Sequence, residues 1–103
     1  MTISFVGFGT ISRLIRQELL QDAEAHIEFR GFFDPYVGDS PEDHDGLHRA
    51  ASLSELLDSP TDLVVEASSQ EGAQAYVPEI LRGGRSVLSM SVGASGANTV
   101  NRF

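Results

Sequence analysis

The sequence predicts an α/β domain built on a doubly wound parallel sheet, and three observations predict it. Short apolar runs alternate with segments of helical spacing, the runs are too continuously apolar for strands with one wet face, and Gly, Pro or Asp closes most of them. Thr2 to Val6 is the first run and ends at Gly7. Ile11, Leu14, Ile15 and Leu19 then recur at helical spacing as far as Asp22. His26 to Phe33 is β-rich and stops at Asp34-Pro35, where proline pushes the residue before it toward an extended conformation. Residues 36–48, YVGDSPEDHDGLH, carry Gly, Pro and acids with almost no apolar content, which predicts a solvated loop outside the core.

The second half repeats the alternation. Ser52-Leu-Ser-Glu55 has capping-box spacing and starts a short helix that ends before Pro60. Asp62 to Ala67 reads as a strand. Ser68-Ser-Gln-Glu71 is a second capping-box spacing, opening a helix with Tyr76, Ile80 and Leu81 on one face and Gly83-Gly84 at its end. Arg85 to Val92 is the last predicted strand, and neither a repeat nor a low-complexity segment interrupts the pattern.

Composition bounds the rest. One hundred and three residues allow one domain with a real core and are short for a cofactor domain plus a substrate domain. Cysteine is absent, which removes disulfides, thiolate metal sites and a cysteine nucleophile. Neither a signal peptide nor a spanning segment is indicated, so a cytoplasmic protein is expected. Fifteen acids face seven bases for a net charge of −8, and every base is arginine. Nucleic acid and anionic membranes are therefore poor partners. An acidic, lysine-free surface suits a salt-rich cytoplasm, where screening removes self-repulsion, and equally an ordinary small acidic protein.

The stretch Gly7-Phe-Gly9-Thr-Ile-Ser12 follows a predicted strand, opens a predicted helix and precedes Asp34 at the end of the next strand. That is the arrangement of a dinucleotide-binding βαβ unit. Gly7 permits the tight turn, Gly9 admits a pyrophosphate close to the backbone, and the helix start offers free N–H groups to the anion. Asp34 accepts from the ribose hydroxyls and repels a 2′-phosphate, which favours NAD over NADP. Ser12 is larger than the Gly or Ala usual at the third small position. Other chemistry is weaker. Asp43, His44, Asp45 and His48 form a metal-like cluster in an acidic loop without regular structure to fix ligands, and no metal is expected. His26 reads as an edge residue at the start of a strand. Glu66 sits at a strand's carboxyl end, where ligands bind in open α/β sheets, and suits support of that crevice better than direct catalysis.

Three segments together, FVGFGTIS at 5–12, SLSELL at 52–57 and DLVVEASSQEGAQAYVPEILRGGRSVLSMSVGA at 62–94, resemble the N-terminal NAD(P)-binding (Rossmann) domain of the L-aspartate dehydrogenase family. The pair VVEASSQE and MSVGA carries most of the specificity. The resemblance implies NAD-dependent oxidative deamination of L-aspartate to iminoaspartate or oxaloacetate and ammonia, with NADP as an alternative cofactor, a role in NAD biosynthesis, and a homodimer. By similarity Gly9, Thr10 and Ile11 match the pyrophosphate turn and Asp34 the ribose contact. Ala67, Ser68, Ser69 and Gln70 match the loop after the strand ending at Glu66, and Ser91, Val92, Gly93 and Ala94 the loop beside the nicotinamide.

In that family the catalytic histidine and much of the aspartate pocket lie in a second, α+β domain, and none of His26, His44 or His48 matches that histidine. No catalytic residue is therefore assigned. Residues 1–94 are read as a single truncated dinucleotide-binding domain and 95–103 as a polar tail with the catalytic domain absent, as in a truncation, a prematurely ended frame or a split enzyme with a separate catalytic domain. The alternatives are a free-standing dinucleotide-binding module, or a fragment of a homoserine dehydrogenase or dihydrodipicolinate reductase, which share the opening motif.

Overall fold

A computed structural model describes residues 1–22, 26–38, 44–91 and 99–101, the last three as backbone. In chain order the elements are β1 (Thr2–Val6), α1 (Thr10–Leu20), β2 (Glu28–Phe33), β3 (His48–Arg49), α2 (Leu53–Asp58), β4 (Leu63–Glu66), α3 (Gln70–Arg82), β5 (Ser86–Ser89) and β6 (Thr99–Asn101). They form one sheet in the order β3-β2-β1-β4-β5-β6. The first five strands are parallel to their neighbours, and β6 runs antiparallel to β5. The doubly wound α/β prediction therefore holds.

The central strand shows why the sheet is wound on both faces. Successive side chains of a strand point to opposite faces, and β1 buries both sets. Ile3 and Phe5 join Phe8, Phe32 and Val65 in a core layer against Ile15 and Leu19 of α1. Val6 joins Val64, Val87, Leu53, Leu56 and Ile80 in a second layer beneath α2 and α3. Phe5 and Phe32 are fully buried and Phe8 nearly so, each contributing about 2–3 kcal/mol of transfer free energy.

Five expectations are corrected. The 36–48 segment does reach the core: Val37 and Leu47 pack against the α1 side, the His44 ring meets Phe32 edge-on, and His48 opens the short β3. Two isolated apolar residues make no periodic signal, which is why the segment reads as wholly solvated. His26 does not begin β2 but precedes it with φ 49°, a left-handed conformation outside the strand ladder. On α1 the apolar residues divide. Ile15 and Leu19 face the core, whereas Ile11 and Leu14 are about half exposed and Ser12 is the residue buried. The second capping box is shifted by one: Ser69, not Ser68, caps α3 by accepting from the Gly72 N–H at 2.9 Å. Finally, Thr99–Asn101 of the expected polar tail pairs with β5, Ser89 opposite Thr99 and Val87 opposite Asn101. An edge strand needs backbone pairing more than an apolar run, so the polar composition hid it.

Among the described residues no helix is long and apolar enough to cross a membrane.

Candidate functional site

β1 and β4 are neighbours, with Val6 opposite Glu66, yet the chain leaves β1 toward β2 on one side and returns through α2 to β4 on the other. The order of the sheet reverses between them. That reversal opens a crevice at the carboxyl ends of the strands, and Gly7 and Ala67 are the first residues past those ends.

Gly7 has φ +84°, and a Cβ there would stand 2.7 Å from the Ala67 carbonyl carbon, the Ala67 carbonyl oxygen and the Ser68 Cα. Both facts demand glycine. Its N–H donates to the Phe33 carbonyl at 2.9 Å. Phe8 then turns its ring into the core, 4.4 Å from Phe32 centroid to centroid, while its N–H donates to Asp34 Oδ2 at 2.8 Å. The turn is thus fastened from below by an aromatic stack and from the side by a carboxylate.

Gly9 differs in kind. It is the N-cap of α1, and a Cβ placed on it would meet nothing within 4 Å. The helix start carries no side-chain cap and no acidic residue in its first turn. Unpaired N–H groups and the positive end of the helix dipole therefore face open space, which fits an anion. Ser12 is fully buried, and its hydroxyl donates to the Gly7 carbonyl at 2.5 Å. The third small position of the turn is filled by a residue that satisfies its own polar atom.

A cleft of about 390 Å³ lies over this turn, lined by Gly7, Gly9, Phe33, Asp34, Pro35, Tyr36, Ala67, Ser68, Ser69, Glu71, Gly72, Ala75 and Tyr76. Six of the sequence-predicted site residues meet here: Gly7, Gly9, Asp34, Ala67, Ser68 and Ser69. Thr10, Ile11 and Gln70 do not line it but stand in the first turns of α1 and α3. Ser91 lies beyond β5, and Val92, Gly93 and Ala94 fall outside the described residues. Sequence reasoning missed the far wall, Glu71 to Tyr76 on α3. Its signal is Gly72, a glycine inside a helix, where a Cβ would collide with the Ser68 hydroxyl.

Asp34 holds more of the turn than a ribose contact requires. Besides Phe8, its Oδ1 accepts from the Tyr36 N–H at 2.9 Å, so both carboxylate oxygens are engaged while each keeps acceptor capacity toward the cleft. Tyr36 itself is 93% exposed at the cleft edge.

Beneath the cleft floor Glu66 is fully buried. Its Oε2 accepts from the Ser68 N–H at 2.8 Å, the Ser68 hydroxyl at 2.5 Å and the Ser91 hydroxyl at 2.7 Å. Its Oε1 accepts from the Ser89 hydroxyl at 2.7 Å. Burial works to raise its pKa, but the hydrogen bonds from Ser68, Ser89 and Ser91 outweigh it and hold the carboxyl below its ordinary value. The carboxylate is thus held by one amide and three hydroxyls.

His44 and His48 are engaged elsewhere. His44 Nε2 lies 2.8 Å from the Gly38 carbonyl, and His48 Nε2 lies 3.2 Å from Glu55 Oε1. Asp45 pairs with Arg13 at 2.9 Å. Asp43 of the metal-like cluster lies outside the described residues, and no group of potential metal ligands occurs among those described.

Comparison with known proteins adds to this geometry. Residues 7–102 match the family described as homoserine dehydrogenase, NAD binding domain. The L-aspartate dehydrogenase of Methanothermobacter thermautotrophicus is 33% identical over 105 residues, covering 91% of this chain and 37% of that protein. The L-aspartate dehydrogenase of Methanococcus maripaludis is 32% identical over 96 residues, covering 91% and 36%. The chain thus spans little more than a third of the length of these relatives. Among solved structures, a probable oxidoreductase superposes with TM-score 0.72 at 20% identity, covering 86% of this chain and 27% of that one. The WlbA dehydrogenase of Bordetella pertussis, in complex with NADH and UDP-GlcNAcA, gives 0.69 at 24% identity over 86% and 26%. Biliverdin reductase of Synechocystis, in complex with biliverdin and NADP+, gives 0.70 at 21% identity over 85% and 28%. At these identities the solved structures establish the fold.

Proposed function

The chain belongs to the family of homoserine dehydrogenase NAD-binding domains, and from that premise we propose that it is the cofactor-binding part of an L-aspartate dehydrogenase. NAD is its preferred dinucleotide and NADP the lesser one. The observation that carries the reading is the pairing of an uncapped α1 N-terminus with the open space at Gly9, which leaves an anion free to approach the backbone. The two L-aspartate dehydrogenases named above support the choice of substrate.

In this reading Gly7 shapes the turn, Gly9 and the N–H groups of Thr10 and Ile11 hold the pyrophosphate, and Asp34 accepts from the adenine-side ribose. Ala67, Ser68, Ser69 and Gln70 border the cofactor from the β4 side, with Ser91, Val92, Gly93 and Ala94 beside the nicotinamide. When bound, the dinucleotide supplies a hydride acceptor for the Cα–H of aspartate, whose imino product hydrolyses to oxaloacetate and ammonia. The residues of this chain bind and orient that acceptor. None of its described histidines lines the cleft, so the acid–base group and the enclosure of aspartate come from polypeptide outside these residues, as a separate catalytic domain. Residues 1–94 carry the dinucleotide-binding segments, to whose sheet Thr99–Asn101 adds an antiparallel edge strand, and a cytoplasmic location, a homodimer and a place in NAD biosynthesis belong to the same reading.

The purified chain is expected to change the fluorescence of NADH on binding it, and to reduce no NAD in the presence of aspartate until a catalytic domain is added. Absence of NADH binding refutes the proposal. Aspartate-dependent turnover by the chain alone refutes the external acid–base group and directs attention to Glu66 and His26.

A further inference from the structure

We infer that Glu66 is a positioning residue that makes the Ser68 hydroxyl an acceptor-only group at the cleft wall, so that the part of the dinucleotide seated against Ser68 is a hydrogen-bond donor. The inference rests on the cofactor reading above and adds which atoms meet at this wall. A carboxylate has no proton to give, so each hydroxyl in contact with it must spend its single proton on it. Ser68 donates to Glu66 Oε2 through both its N–H, at 2.8 Å, and its Oγ, at 2.5 Å. Nothing remains on Ser68 to donate. Ser68 nevertheless lines the cleft, and all that its hydroxyl has left to offer a ligand there is lone pairs.

Two further contacts hold this polarity in place. Ser89 and Ser91 donate to the same carboxylate from the end of β5 and just past it, both at 2.7 Å, so Glu66 keeps its side chain fixed from the neighbouring strand. On the other side, Gly72 leaves room where a Cβ would strike the Ser68 Oγ, and the serine rotamer that reaches Glu66 is the one the helix start accommodates. The hydrogen bonds that lower the Glu66 pKa keep the carboxylate ionised across the neutral range, preserving the arrangement.

Phosphate oxygens carry no proton at neutral pH and gain nothing from such a hydroxyl. The donors of a dinucleotide are the adenine amino group, the ribose hydroxyls and the nicotinamide carboxamide. All three share the required chemistry, and analogues separate them. Titration of the purified chain would compare NADH with the reduced hypoxanthine analogue (amino group replaced by a carbonyl), the reduced 3-acetylpyridine analogue (carboxamide nitrogen replaced by a methyl) and deoxy analogues of each ribose.

One analogue is expected to bind roughly five- to tenfold more weakly than NADH, with that deficit lost in Ser68→Ala and in Glu66→Gln, whose amide can donate to Ser68 and free its proton. Deficits belonging to other donors should persist in both variants, a distinction that a purely structural Glu66 would not produce. Should Glu66→Gln fail to fold, Ser68→Ala, at an exposed side chain, decides the matter alone. NADH binding with every deficit unchanged in Ser68→Ala overturns this inference and leaves the cofactor reading standing. Failure to bind NADH overturns both.

Discussion

The hydroxyl of Ser12 lies 2.5 Å from the carbonyl oxygen of Gly7, five residues back and across the mouth of the glycine turn. A buried side chain that bonds the residue opening the turn ties the first helical turn to the end of β1. Ser12→Ala removes a buried hydrogen bond and is expected to cost about 1 kcal/mol while leaving NADH binding close to native. Ser12→Val overfills a fully buried site and should cost about 1–3 kcal/mol and weaken NADH binding by displacing the turn. Chemical denaturation with parallel NADH titration checks both. Equal stability of the serine and valine forms would show that the helix does not pack as closely as the burial indicates.

The two glycines of the turn should separate folding from binding. Gly7→Ala forces a Cβ against three backbone atoms at 2.7 Å and sets φ +84° on a residue that resists it, so a loss of about 2–3 kcal/mol is expected. Gly9→Ala meets no atom within 4 Å and should leave stability within about 0.5 kcal/mol. Its methyl occupies the space an anion would use, and NADH affinity should fall about tenfold or more. A Gly9→Ala chain that binds NADH like the native one removes the pyrophosphate from this place.

The sequence made most of this framework readable, and the reasons differ by element. β1, α1 and β4 announce themselves because burial on both faces forces a continuous apolar run and a helix forces its own period. Gly7 was legible because it performs a backbone task few residues can, and Asp34 because an acid closes the strand after the glycine turn, whereas its hold on the Phe8 and Tyr36 amides left no mark in the sequence. The rest depended on partners far away in sequence. Val37 and Leu47 pack singly, and Ser68 is drawn off its helix cap by a glutamate two residues back. The Glu66 cluster joins residues separated by as much as 25 positions, a distance at which no local pattern exists.

Glu66 should give the acid limb of stability a recognisable origin. Burial raises its pKa, the hydrogen bonds from Ser68, Ser89 and Ser91 together lower it by more, and the net direction is down. A folded-state value below the unfolded one, about 4.3, means that the unfolded chain binds the proton more readily. The contribution of Glu66 is therefore complete above the unfolded value and is lost as pH falls through the folded one. Glu66→Gln should destabilise the protein at neutral pH by about 1–3 kcal/mol and flatten the decline below pH ~4.3, measured by denaturation across pH. An acid limb as steep in the variant as in the native chain would assign it to other carboxylates.

Charge makes a separate prediction. With a net charge of −8 and no lysine, a surface adapted to salt should gain thermal stability between dilute buffer and molar KCl as self-repulsion is screened. A midpoint that stays flat across that range marks ordinary acidity.

Asp34 tests cofactor choice and turn structure at once. Its carboxylate accepts from the Phe8 N–H at 2.8 Å and the Tyr36 N–H at 2.9 Å, yet it lines the cleft with lone pairs to spare for ribose hydroxyls. A 2′-phosphate brought to the same place would meet a fixed negative charge. NADH is accordingly expected to bind at least about tenfold more tightly than NADPH. Asp34→Asn keeps an acceptor and removes the charge, so it should narrow the gap mainly by improving NADPH binding. Asp34→Ala removes both and leaves the Phe8 and Tyr36 amides without their partner, so it should also cost about 1–2 kcal/mol of stability and weaken NADH binding. Calorimetric titration of the three chains with both cofactors separates the electrostatic part from the structural part. Equal affinity of the native chain for NADH and NADPH would mean that Asp34 serves the turn and leaves the ribose undiscriminated.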